Sequence, residues 1–164
     1  MAAMTENTIY FWRPHEEYGY LGNWFTSYFT VGGKTFCNSE QYFMWKKQQL
    51  FDPDNKVLEN KILTSVSPKS IKGYGRKVQN FDEEVWGENK YEFMKEAVMH
   101  KFSQNEDLLH QLLSTDGSNL VEASPYDRIW GIGINRSDAE KGKKWKGQNL
   151  LGIALMEVRE ELKK

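Results

Sequence analysis

The chain carries a single cysteine, Cys37, among its 164 residues. One thiol excludes an internal disulfide and any zinc site built on several cysteines. Histidine is scarce: His15, His100 and His110 are scattered without ligand-like spacing, no H-E-x-x-H occurs, and no metal is expected. A charge of one sign is also missing. The 22 Lys and Arg residues nearly cancel the 23 Asp and Glu residues, leaving a formal net charge of −1. Bulk attraction to a phosphate backbone is thereby excluded, although a local patch could still meet one. The one basic cluster is KGKKWK at 141–146. No run approaches the roughly 18 apolar residues of a membrane span. The start, MAAMTENTIY, lacks the basic-then-apolar order of a signal peptide. A soluble cytoplasmic protein with no membrane partner is the expectation. There is no G-x-x-x-x-G-K-[ST] loop, and GIGINR lacks the third glycine of a dinucleotide fingerprint, so no cofactor is expected.

What is abundant is aromatic: 6 Trp, 8 Tyr and 9 Phe, 14% of the chain. Large core side chains account for most of them, and a few could stack on a flat ligand. The length fits one domain with a real core. Residues 8–36 are aromatic and β-prone, with a hairpin turn at Gly32-Gly33. CNSEQYFMWKKQQLF reads as a helix capped by Asn38 or Ser39, with Glu40 in its first turn. DPDNKVLENKILTS suggests a second helix, with Asp52 as cap and Pro53 at the first helical position. SPKSIKGYG suggests a third, capped by Ser67 and stopped by Gly73 and Gly75. Asp82 opens the longest helix, with an apolar stripe of Tyr91, Met94, Val98 and Phe102 or Lys101. NEDLLHQLLSTDG is a shorter helix closed by Gly117, NLVEAS a short strand, and SPYDRIWGIG a loop. The closing helix has a stripe of Leu151, Leu155, Val158 and Leu162. The expected fold is α+β, a helix-dominated single domain at 9–164 with a few short strands, behind a flexible start at 1–8.

Two acids keep unusual company. Glu40 stands among aromatics in NSEQYF, where it could simply complement the helix dipole. Asp127 lies in SPYDRIWGIG, where it could be a turn carboxylate bonded to its own backbone. Lys47 follows Glu40 by two helical turns. A lysine on an apolar face can lose its proton and act as a nucleophile or Schiff-base former. Acids, a lysine and tryptophans together suit cleavage of an N-glycosidic bond, which develops positive charge on the ribose and releases a flat base.

Several separated stretches, in order from about Ile9 to the C-terminus, resemble the YbiA/NADAR family. LGNWF resembles its Ser-Asn-Phe stretch and carries Asn23. SEQYFMWKK resembles its Ser-Glu-His-Tyr-Phe-Gln-Ala-x-Lys segment through Ser39, Glu40, Tyr42, Phe43 and Lys47, with departures at Gln41, Met44 and Trp45. GYGR supplies Gly75 and Arg76, and Trp86 precedes AVMHKF. LVEASPYDRIWGIG matches the Val-Glu…Asp-x-x-Trp-Gly-x-Gly signature through Val121, Glu122, Asp127, Trp130, Gly131 and Gly133. GQNLLGIALMEVREEL, with Asn149, matches the closing segment.

The resemblance implies a YbiA-like fold and an N-glycosidase acting on a ribosylated base. It implies either removal of ADP-ribose from guanine bases of nucleic acid or hydrolysis of phosphoribosylaminopyrimidine intermediates of riboflavin biosynthesis. A non-catalytic reader of NAD or ADP-ribose is a further alternative. Glu40, Asp127 and Lys47 are expected to be catalytic. Asn23, Tyr42, Arg76, Trp86, Glu122, Trp130, Gly131 and Asn149 are expected to bind substrate, with the phosphates toward Arg76 and the helix start near Asn149.

Overall fold

The computed structural model describes residues 7–164. They form a helix-dominated α+β fold with seven α-helices and four short strands among the described residues. The domain comprises two compact units. One joins the segment up to Gly22 to Glu106–Lys164, and the other is Asn23–Asn105. Of the expected flexible start, 1–6 lies outside the described residues, whereas Thr8 already opens β1 (Thr8–Phe11).

The Asn23–Asn105 unit begins with the expected hairpin of β2 (Phe29–Val31) and β3 (Lys34–Phe36), which pair antiparallel with Phe29 opposite Phe36. Gly32 and Gly33 both hold positive φ, 57° and 80°. That is the backbone a two-residue turn needs to follow the twist of its strands. Helix α1 (Ser39–Phe51) starts where the Asn38 side chain accepts the Gln41 amide at 2.8 Å. Its inner face places Tyr42 in a core cluster with Phe29, Phe36 and Ala97. Helix α2 (Lys56–Thr64) begins later than the sequence suggests. Asn55 caps it through the Leu58 amide, while Asp52 closes α1 and accepts hydrogen bonds from Asn55 and the Gln79 amide. Pro53 therefore lies in the linker. Helix α3 (Pro68–Gly75) has the expected Ser67 cap and runs through Gly73. Asp82 caps α4 (Glu83–Ser103), where Lys101 and Phe102 are both fully buried.

Gln41, a departure from the family pattern, has a structural task. Its Oε1 accepts the Cys37 amide at 2.6 Å, and its Nε2 donates to the Ile62 and Ser65 carbonyls at 2.8 and 2.9 Å. Carbonyls at a helix end have no partner within the helix, so the amide group satisfies the end of α2 while locking it to α1.

In the other unit β1 pairs parallel with β4 (Asn119–Glu122), Ile9 opposite Leu120. Helix α5 (Glu106–Ser114) precedes β4 and ends near Gly117, whose φ is +87°. The five-residue α6 (Arg136–Glu140) is too short to have left a periodic signal. Helix α7 (Leu150–Leu162) packs on β4, and Leu151, Leu155 and Val158 of the helix and Leu120 of the strand are all fully buried. Arg159, 6% exposed, donates from Nη1 to the Thr115 and Ser118 carbonyls, both at 2.9 Å, tying α7 to the turn before β4.

The α7–β4 contact depends on Gly152, because a Cβ there would run into the Leu120 carbonyl. Gly73, also helical, has open space at that position. The same substitution should therefore have opposite signs. Gly152→Ala should destabilise by about 2 kcal/mol or more through overpacking against backbone. Gly73→Ala should stabilise by about 0.5–1 kcal/mol through helix propensity. Urea denaturation of both variants checks this.

Candidate active site

Positions 40, 43 and 47 share one face of α1, the face opposite Tyr42. Glu40 is buried at 9% exposure in the first turn, and its amide donates to the Asn23 carbonyl at 3.3 Å. The Asn23 side chain accepts the Ser39 hydroxyl at 2.8 Å. Asn23 thus holds the helix start that presents Glu40.

Lys47 is half-buried, with Nζ 4.8 Å from the Phe81 ring centre and 5.8 Å from that of Trp86. Burial pulls its ammonium below the ordinary lysine value of 10.5. The Glu40 carboxylate opposes that shift, and the Arg76 guanidinium reinforces it. The faces of Phe81 and Trp86 attract an ammonium and so work against that shift. Trp86, from the first turn of α4, packs at 5.0 Å from Phe43, 6.1 Å from Phe51 and 6.1 Å from Phe93. Arg76 is exposed at the end of α3, brought beside α1 by Gly75, where a Cβ would meet the Met44 sulfur.

This unit therefore gathers Glu40, Lys47, Arg76 and Trp86 from three helices. Tyr42 does not join them. Its hydroxyl donates to Glu96 at 2.9 Å, and burial with that carboxylate pushes its pKa upward. Two positions along a helix turn its side chain to the far side, into the core cluster of Phe29, Phe36 and Ala97. Lys101 was legible only as a stripe residue. It is fully buried at 5.1 Å from the Phe102 ring centre, and burial pulls its pKa down to about 7.

The other unit carries the SPYDRIWGIG loop. Asp127 Oδ1 accepts the amides of Ile129 and Trp130 at 2.9 and 2.8 Å, so the acid shapes its own turn. The loop then crosses the start of α7. The Ile129 and Trp130 carbonyls accept the Leu150 and Leu151 amides, both at 3.1 Å, and the Gly131 carbonyl accepts that of Asn149 at 3.0 Å. A Cβ at Gly131 would sit 3.0 Å from the Glu122 carbonyl oxygen and 3.1 Å from that of Asp127. Trp130 is half-buried, and Glu122, at the end of β4, has its Oε1 buried.

At the helix start near Asn149 the polar groups already have partners within the protein. The two leading α7 amides are taken by loop carbonyls. The Asn149 side chain, 3% exposed, accepts the Glu122 amide at 2.9 Å and donates to the Leu120 carbonyl at 3.0 Å. Its left-handed backbone, φ 54°, makes this clip possible. Among the described residues no group of three or more His, Cys, Asp or Glu side chains could hold a metal ion, and no helix is long and apolar enough to cross a membrane.

The electrostatics of Lys47 can be tested directly. NMR titration of the reductively methylated lysine should give a midpoint below that of exposed lysines in the chain. Arg76→Ala should move the midpoint up, and Glu40→Gln should move it down.

The NADAR domain model matches residues 10–163. N-glycosidase R617 of Acanthamoeba polyphaga mimivirus is 37% identical over 146 residues, 84% of this chain and 86% of the relative. The riboflavin biosynthesis protein VVA0006 of Vibrio vulnificus (strain YJ016) is 35% identical over 157 residues, 96% of this chain but 39% of that protein. The NMR structure of the E. coli protein YbiA superposes with a TM-score of 0.79 at 32% identity, covering 96% of this chain and 86% of YbiA. In sequence and in fold, this chain belongs to the NADAR domain family.

Proposed function

We propose that this chain is an N-glycosidase whose substrate is ADP-ribose attached to guanine bases of nucleic acid. The bond class is supported by the mimivirus relative, which carries the name N-glycosidase. One observation carries the reading to particular residues: a buried carboxylate and a partly desolvated lysine share one face of α1, with an exposed guanidinium acting on the lysine. In this reading Glu40 is the carboxylate that stabilises the ribose as it turns cationic and its base departs. Arg76 binds phosphate, its planar fork matching two phosphate oxygens.

Lys47, with its lowered affinity for protons, supplies the nucleophile. Its neutral amine forms a bond to the anomeric carbon while the bond from that carbon to the base nitrogen breaks. The electron pair leaves on the base, which takes up a proton. Proton loss from the new ammonium and opening of the sugar ring give an imine. Water adds to the imine carbon and expels the lysine, so one water is consumed per bond cleaved. Asp127 holds the loop that carries Trp130, and Trp86 forms the aromatic wall beside Lys47.

The competing reading is hydrolysis of phosphoribosylaminopyrimidines, favoured by the name of the Vibrio relative. Separate incubation with an ADP-ribosylated guanine oligonucleotide and with the phosphoribosylaminopyrimidine, followed by mass spectrometry of the released sugar, decides between them. ADP-ribose is expected from the first, and Glu40→Gln should slow its release by about 10²–10⁴-fold. Ribose 5-phosphate from the second alone would transfer the function to riboflavin chemistry. No product from either would leave a binding module.

A further inference from the structure

Asn149, Glu122, Ile132 and Gly131 close a ring of hydrogen bonds within the β1–α7 unit. The Glu122 amide donates to Asn149 Oδ1 at 2.9 Å, and the Glu122 carbonyl accepts the Ile132 amide at 2.9 Å. One residue before Ile132, the Gly131 carbonyl accepts the Asn149 amide at 3.0 Å. Asn149 therefore grips β4 with its side chain and the Trp130-Gly131 turn with its backbone. Neither the end of the strand nor the turn can shift without breaking a bond in this ring.

The Asn149 side chain also stands in for a neighbouring strand. Its Nδ2 donates to the Leu120 carbonyl at 3.0 Å, while its Oδ1 takes the amide two residues further along β4. A strand running parallel to β4 would meet the same two groups. One edge of β4 pairs with β1, and the Asn149 amide covers the other. A Cβ at Gly152 would run into that amide. Asparagine suits the position on two counts. It tolerates the left-handed φ of 54°, and it carries a donor and an acceptor on one flat group.

The ring fixes two groups with chemistry to offer. Glu122 ends β4 with its Oε1 buried, and Trp130 is half-buried. The carboxyl end of a parallel strand is where open parallel sheets hold their ligands. A carboxylate there can accept from the two adjacent hydroxyls of a ribose, and an indole offers a face to a base. Asp127 is committed through Oδ1 to its own turn. Glu122 is therefore the carboxylate of this unit that suits a sugar.

We infer that Asn149 is a positioning residue, which sets the Glu122 carboxylate against the hydroxyls of a ribose and holds Trp130 in register through the same ring. The inference deepens the proposed reaction and rests on it for ribose as the guest.

ADP-ribose itself is the probe, titrated by calorimetry so that no turnover is needed. Asn149→Gly keeps the left-handed backbone without strain and removes only the side-chain clip. With its fold checked by circular dichroism, it should bind ADP-ribose about tenfold more weakly than the wild-type chain, as misplacing a hydrogen bond to a charged group would cause. Glu122→Gln should lose as much, and the double variant should lose no more than Glu122→Gln alone. Asn149→Asp retains the acceptor for the Glu122 amide and should recover most of the affinity. With an ADP-ribosylated guanine oligonucleotide, Asn149→Gly should raise KM about tenfold and leave kcat within about twofold, because Glu40 and Lys47 are untouched. Glu122→Gln leaves the ring of bonds in place, so it tests the site even where Asn149→Gly fails to fold. Losses that add in the double variant, a loss confined to kcat, or Asn149→Asp binding as weakly as Asn149→Gly overturns the inference. Glu122→Gln binding like the wild-type chain overturns it too, and leaves the proposed reaction standing where ADP-ribose is still released. The expected losses of affinity in a chain that releases no ADP-ribose remove only the proposed reaction.

Discussion

An ammonium group that loses water must be compensated or must lose its proton, and the Asn23–Asn105 unit is arranged around that constraint at Lys47. Phe81 and Trp86 cover the lysine, Arg76 adds a like charge, and Glu40 opposes both from two turns away on the same helix. Each contributor comes from an element held by its own local chemistry. The Asn38 cap and the Asn23 clamp start α1, Asp82 starts α4, and the missing Cβ of Gly75 lets the end of α3 reach α1. The outcome is an amine available at lower pH than a surface lysine would be, on the same helix face as a buried carboxylate.

The β1–α7 unit applies a different economy. One loop, SPYDRIWGIG, spends a carboxylate oxygen on its own amides and three carbonyls on the start of α7. The groups that a helix start would offer to an anion are thereby used within the protein. The exposed groups of this unit include the Tyr126 ring and the lysines of 141–146.

Much of this was legible in the sequence where a residue acts through its own neighbours. The Asn38, Ser67 and Asp82 caps, the Gly32-Gly33 turn and the α7 stripe are local signals, and each element formed where expected. Asp52 was misread because a cap-then-proline pattern also suits a linker, and Asn55 offered an equally good cap a few residues on. The packing of Asn149 and Tyr42 was not legible for another reason. Their partners, Leu120 and Glu122 for one and Glu96 for the other, are distant in sequence, so only the tertiary structure could commit their polar groups. The turn reading of Asp127, the plainer of its two readings, describes its Oδ1. Glu40 and Lys47 were legible as a pair because seven residues return a helix to the same face.

The central claim is that Lys47 is an amine built to bond with a sugar carbon, and borohydride trapping tests it most directly. Reduction during turnover of an ADP-ribosylated guanine oligonucleotide should leave a stable sugar adduct that peptide mass spectrometry places on Lys47, and Lys47→Ala should yield neither adduct nor product. No adduct on the wild-type chain, together with full activity of Lys47→Ala, would contradict the account.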